Sequence, residues 1–238
     1  MGKWETRSFA TSFPKDCGKS LIFHNPGFST KMALWKCGKF IFFEKTWYDE
    51  LLEVIKIRFY YFSEDEFSKY HSFLKMQTCP HCKQPGFLIL HGYLYGYSDT
   101  SNSERVKRAH RIFCSNRNNR NGCGKTFSIF NAHFIKHFIF TARILWLFLK
   151  NIKTGMNPFK AAENLDIEWS DTTIYRLYHR FKNNQPAIRS LLLRIKDPPD
   201  KQKTKDPLIQ TILHLESVFA GVYNPIAQFQ HHFQHSFL

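Results

Sequence analysis

Apolar and polar positions alternate unevenly along this chain, and the changes of period divide it into segments. Residues 1–45 carry no sustained period; aromatic residues mix with Lys, Gly and Pro, as in Phe23-His24-Asn25-Pro26-Gly27-Phe28, and the stretch stands as an unassigned extension. A helical spacing sets in at Thr46. Trp47, Leu51, Val54 and Ile55, then Arg58 to Phe62, recur at helix intervals. Ser63-Glu64-Asp65-Glu66 opens a further helical stretch through Phe67, Tyr70, Phe73 and Leu74, with acidic residues at its positive end. Residues 46–75 are therefore predicted to be helical. The pattern then becomes strand-like over 87–95 and 105–113, with the polar run Ser98-Asp99-Thr100-Ser101-Asn102-Ser103 as the turn between them.

Farther along, Thr141 is placed to cap a helix through Ala142, Ile144, Leu145, Leu147, Phe148 and Ile152, which Gly155 stops. Pro158 opens a short helix over 159–165, where its missing N–H costs least. After a four-residue turn, Ser170 caps a third helix with Asp171 in its first turn. On that helix Ile174, Leu177, Tyr178 and Phe181 share one side, leaving Thr172, Tyr175, Arg176, His179 and Asn183 on the other, with Arg180 at the flank. A short helix, a turn and a second helix with polar and basic residues projecting outward is the helix-turn-helix pattern, and it bounds a domain over 131–195. Prolines and alternating charges make 196–207 a linker, and 208–238 reads as a short docking helix followed by a tail. His231 and His235, four residues apart, could share a metal only if that tail were helical.

Four of the six cysteines add chemistry to this outline. Cys79 and Cys82 form a Cys-x2-Cys pair, and Cys114 and Cys123 lie beyond the predicted hairpin. Two such pairs can close a tetrahedral shell around one Zn2+, so 76–130 reads as a zinc ribbon whose second pair is separated by a polar, basic loop. Four reduced thiols packed as small hydrophobes are the alternative; disulfides fit poorly with a chain lacking other features of secretion. His81 and His110 read as ordinary polar or nucleic-acid-facing side chains. Cys17 and Cys37 stand isolated.

Charge narrows the partner. The chain has 238 residues, with 34 Lys+Arg against 19 Asp+Glu, a net +15, which implies a polyanion. Between Glu104 and Glu163 no acidic residue interrupts the run of cations. Arg105, Lys107, Arg108, Arg111, Arg117, Arg120 and Lys125 in the ribbon, with Thr172, Tyr175, Arg176, His179 and Arg180 on the third helix, are the candidate DNA contacts. Arg176 is suited to a bidentate guanine contact. The amino terminus lacks the apolar core of a signal peptide, and the most apolar window, 138–149, contains Arg143 and is shorter than the ~20 residues a bilayer span needs. A soluble, cytoplasmic, nucleoid-associated protein is the expectation.

The fold class expected is α+β: N-terminal helices, a small zinc-ribbon hairpin module, then a three-helix helix-turn-helix bundle. The block Cys79-Pro80-His81-Cys82, His91-Gly92-Tyr93, Arg111-Ile112-Phe113-Cys114-Ser115-Asn116-Arg117 and Gly122-Cys123-Gly124-Lys125-Thr126-Phe127-Ser128, followed by that bundle, resembles the DNA-binding part of bacterial insertion-sequence transposases. The resemblance covers about residues 76 to 195. It implies zinc on Cys79, Cys82, Cys114 and Cys123, double-stranded DNA as partner, and a homodimer or a transposase subunit as the working assembly. Strand transfer in that family requires an acidic triad holding two Mg2+ in a further domain. About 40 residues follow position 196, and Asp166, Asp171 and Glu216 can be collected into a triad on paper, but the first two already serve turn and helix start. The expectation is binding without catalysis. Two rivals stay open: an RNA-binding or ribosome-associated zinc ribbon that stacks bases on Tyr93, Tyr95 and Tyr97, and a metal-dependent nuclease with unrecognised acidic ligands.

Overall fold

The computed structural model describes residues 57–97, 104–117, 121–165, 169–199 and 206–238, together with the backbone of four strands earlier in the chain. It is mixed α+β, and it divides into two compact units, Met1–Lys56 and Ile57–Leu238. In the first unit β1 (Glu5–Arg7), β2 (Lys19–Asn25), β3 (Phe28–Lys36) and β4 (Lys39–Phe43) form an antiparallel meander in sequence order. Its register pairs Leu21 with Ala33 and Leu34 with Ile41, and a bulge interrupts β2 between Phe23 and Asn25. The stretch left unassigned from its sequence is thus a sheet. Apolar residues there occur in short runs without strict alternation, so pairing partners, which no local pattern reveals, decide the conformation.

The second unit holds a four-stranded sheet and a helical block. Its strands are β5 (Tyr60–Tyr61), β6 (Leu88–Tyr97), β7 (Arg105–Cys114) and β8 (Thr126–Asn131), in the order β5-β8-β7-β6. β6 and β7 make the expected hairpin, β8 adds antiparallel to β7, and β5 lies parallel to β8. Arg58 to Phe62 are therefore not helical as their spacing suggested. Phe130 and Ala132 donate their N–H groups to the carbonyls of Phe59 and Tyr61 at 2.8 and 2.7 Å, and that pairing overrides the local period. On the far side of β5 the Gln234 side chain substitutes for a further strand: its Oε1 accepts from the N–H groups of Phe59 and Tyr60 at 2.8 and 2.9 Å, and its Nε2 donates to the Tyr60 carbonyl at 3.1 Å. The helical period over residues 46–56 lies outside the described residues.

Helix α1 (Glu64–Ser72) begins where the sequence placed it. Ser63 Oγ accepts from the Glu66 N–H, three acidic residues occupy the first turn, and Phe67 and Tyr70 are buried. These rings meet Leu74, Leu88, Ile112 and Ile129 in a core that also takes in Cys79 and Cys114. The larger core lies in the helical block, α2 (Ala142–Lys153), α3 (Pro158–Glu163), α4 (Asp171–Leu192), α5 (Pro207–Val218) and α6 (Pro225–Phe233). Thr141 and Ser170 cap α2 and α4 as expected, and Asn157 caps α3 ahead of Pro158. Lys153 pairs with Glu216 at 2.7 Å between α2 and α5, and Arg189 Nε donates to Thr211 Oγ1 at 2.7 Å between α4 and α5.

The residues expected to form a tail are instead core. Ile226, Ala227, Phe229 and Phe237 are fully buried, and the buried Gln230 side chain donates to the carbonyls of Ala132 and Phe134 at 2.8 and 3.1 Å. α6 ends at Phe233 and Gln234 takes a left-handed conformation, φ 51°, so His231 and His235 do not sit one helical turn apart. His231 bonds Glu66 at 2.7 Å while His235 is exposed, which removes the shared metal. Of the 196–207 linker, residues 200–205 lie outside the described residues. Among the described residues no helix is long and apolar enough to cross a membrane.

Candidate metal centre and basic surfaces

Two tight turns bring the four sulfurs together. The Lys83 N–H bonds the Cys79 carbonyl and the Cys79 N–H bonds the Gln84 carbonyl, both at 3.0 Å, so the chain curls around the first pair; Lys83 supplies the left-handed corner, φ 61°. The second turn is built the same way. The Gly124 N–H bonds the Cys114 carbonyl and the Cys114 N–H bonds the Lys125 carbonyl, again at 3.0 Å, with Gly124 at φ 72°. Gly122 lies so close to the Ser115 carbonyl that a Cβ there would fall 2.2 Å from its oxygen. Glycine is therefore a steric requirement at the point where the second knuckle closes.

All four Sγ atoms lie within 4.8 Å of one another, Cys79 to Cys123 at 3.8 Å and Cys82 to Cys114 at 3.7 Å. A disulfide would bring sulfurs to about 2.05 Å, so these are four thiols or thiolates. Backbone N–H groups point at the sulfurs: His81 donates to Cys79 Sγ at 3.4 Å and Cys123 to Cys114 Sγ at 3.3 Å. Such donors favour negative charge on sulfur. Hydrogen bonding from the Gln84 N–H pulls the Cys82 thiol down to about 7, whereas burial pushes Cys114 up to about 12. A divalent ion at the centre would favour the thiolate form of all four cysteines. The cluster is thus suited to hold a metal ion with all four cysteines as ligands.

Neither nearby histidine belongs to it. His81 is exposed, and His110 is buried away from the sulfurs, stacked on Phe67 at 3.4 Å and within 3.2 Å of Glu64. Burial lowers the His110 imidazole below its ordinary value even though Glu64 opposes the shift. His110 is therefore a core group and does not face a ligand.

The candidate DNA contacts separate into two groups and one misfit. Arg105, Arg111, Arg117 and Lys125 are exposed around the sheet, and Lys107 is half-buried with Nζ 2.5 Å from Glu64. Arg108 is the misfit. Its guanidinium is turned inward, donating to the carbonyls of Tyr97 at 2.7 Å, Phe138 at 2.5 Å and Ile139, and it lies over the Phe134 ring. It clamps the end of β6 to the segment that leads into α2, a role its place in a basic run could not reveal. Arg120 lies outside the described residues.

The second group lies along α4. Thr172, Tyr175, Arg176 and Arg180 are exposed, His179 is half-buried with its ring 4.0 Å from that of Tyr175, and Ile174, Leu177 and Phe181 are buried opposite. Arg180 lies over Phe138 at 5.1 Å. The predicted amphipathicity of this helix is realised: one face packs and the other presents cations and hydrogen-bonding groups to solvent. Of the three acidic residues collected on paper, Asp171 sits in the first turn of α4, Glu216 is occupied by Lys153, and Asp166 lies outside the described residues. No family model, curated protein or solved structure matches the chain.

Proposed function

We propose that the chain binds double-stranded DNA without cutting it, as a zinc ribbon joined to a helix-turn-helix. The sulfur geometry supports zinc: four ligands about 2.3 Å from a tetrahedral centre stand about 3.8 Å apart, close to the Cys79–Cys123 and Cys82–Cys114 separations. β6 to β8 are the ribbon, α3 and α4 the helix-turn-helix, and α4 is the reading element.

The exposed face of α4 carries the DNA reading, because Thr172, Tyr175, Arg176 and His179 project from its first turns while the opposite side is core. A helix N-terminal half so dressed matches what enters a major groove, with Arg176 for guanine and Thr172 for a phosphate or a thymine methyl. The bias of charge toward cations supplies the phosphate term. In this reading the protein is cytoplasmic, associates with the nucleoid, and acts as a homodimer or beside a transposase subunit.

The test pairs metal analysis with a duplex screen. One equivalent of zinc is expected, lost in Cys79→Ser and Cys114→Ser, and a selected duplex should bind with an affinity that falls steeply with salt. Arg176→Ala should retain zinc and lose about 5- to 150-fold in affinity for its site, from a bidentate pair of about 1–3 kcal/mol. Supercoiled DNA incubated with Mg2+ should stay intact. Zinc-free folded protein sinks the ribbon, and unchanged duplex binding by Arg176→Ala sinks α4 as the reader.

A further inference from the structure

We propose that β6 carries a second nucleic-acid surface, a stacking platform for a single strand, in which Tyr93, Tyr95 and Tyr97 take bases and Arg105 and Lys107 take phosphates. The proposal goes beyond the duplex reading of α4 and does not depend on it.

Alternate residues of a strand point to one side, so the three tyrosines form a row. The register places Tyr93 opposite His110, Tyr95 opposite Lys107 and Tyr97 opposite Arg105. Side-chain contacts confirm the shared face: the Tyr93 and Tyr95 rings are 6.2 Å apart, Lys107 Nζ lies 5.2 Å from the Tyr93 ring centre, and the Arg105 guanidinium lies 6.0 Å from that of Tyr97. All three rings are in water, 44, 58 and 44 % exposed in chain order. Helix α1 covers this face as far as His110, where Phe67 stacks, and leaves the tyrosines open. β6 is also the outer strand of its sheet, so among the described residues no further strand screens the row.

The Tyr93 and Tyr95 rings stand at 64° to each other with centroids 6.2 Å apart, so each presents its own face and takes its own base. Each ring offers a π-face that any base can use, and interleaved cations supply the backbone term, the combination that binds single strands with little sequence preference. A duplex keeps its bases stacked on one another and cannot offer them to such a row. Arg105 has no carboxylate partner among the described residues, so its charge is available to a phosphate. Lys107 would exchange Glu64 for one.

The experiment uses the full chain with its metal bound and fluorescence anisotropy of labelled oligothymidylate and oligouridylate of about 12 nucleotides, beside a duplex. Wild type is expected to bind the single strands. Tyr95→Ala should weaken that binding about 5-fold or more, the triple alanine variant should abolish it, and Tyr95→Trp should keep it, while duplex affinity stays unchanged. Tyr95→Leu, apolar but without a π-face, should behave like alanine. Arg176→Ala, chosen to damage the duplex reader, should leave single-strand affinity intact, so the two readings fail separately. Tighter binding of the deoxy or the ribo strand identifies the source. A wild-type chain that ignores both oligonucleotides, including one that instead self-associates through this face, overturns the proposal. So does full single-strand affinity in Tyr95→Ala or in the triple variant.

Discussion

Gly122 is among the smallest residues in the chain and one of the most constrained. A methyl group there meets a main-chain oxygen, which cannot rotate aside as a long side chain could, so the turn carrying Cys123 would have to open. Gly122→Ala is expected to fold but to release its metal to a chromophoric chelator at least several-fold faster than wild type. Unchanged release would mean that the knuckle does not depend on this close approach. Glu66 is constrained by charge. Burial alone would raise its carboxyl, but the His231 hydrogen bond, the Phe62 N–H and the charges of His231 and Arg58 outweigh burial and hold it below the ordinary value of 4.5. A carboxyl lowered by folding stabilises the protein above its unfolded pKa and loses that contribution as pH falls through the folded value. Glu66→Gln should therefore melt lower than wild type at neutral pH, and the two should converge as pH falls through the lowered folded value of Glu66. Any metal held by the four cysteines would be lost from both proteins alike in acid, so their difference isolates Glu66.

At the scale of elements, the parts legible in the sequence are those whose cause is local. Ser63, Thr141 and Ser170 are caps by virtue of their own hydroxyls, the α4 stripe is set by spacing along one helix, and the Cys79/Cys82 turn needs six residues to form. β5 fails that test: it is two residues long inside an aromatic run, and only β8 and Gln234 make it a strand. α6 did carry a signal, Asn224 capping with Pro225 in the first turn ahead of apolar positions at helical spacing, but histidine and glutamine made it look like a tail. Arg108 illustrates the limit on charge reading, since a basic run does not say which member turns inward. Gly96 gives the clue after the fact: a Cβ there would fall 2.3 Å from the Arg108 Nε, so the pair is matched in shape. Arg108→Ala leaves three carbonyls without their donor and is expected to cost about 2 to 4 kcal/mol in denaturant unfolding. A loss under about 0.5 kcal/mol would mean that the clamp is dispensable.

At the scale of the whole molecule, the division at Lys56 makes residues 57–238 a folding unit with its own two cores. That fragment is expected to unfold in one cooperative transition and to bind one equivalent of metal; a fragment that is aggregated or metal-free would tie its stability to the first sheet. Within the unit, the sheet and the helical block are joined by residues distant in sequence, Glu66 to His231 and Phe59 to Gln234. This last contact bears on the order of synthesis. Phe59 and Gln234 are 175 positions apart, so the outer edge of β5 waits for the chain through Gln234 to leave the ribosome. The four cysteines, by contrast, are complete by residue 123 and can clip the hairpin while α2 to α6 are still being made. A nascent chain would thus carry a cysteine-clipped sheet whose β5 edge is bare, and the residue that follows α6 would be the one that covers it.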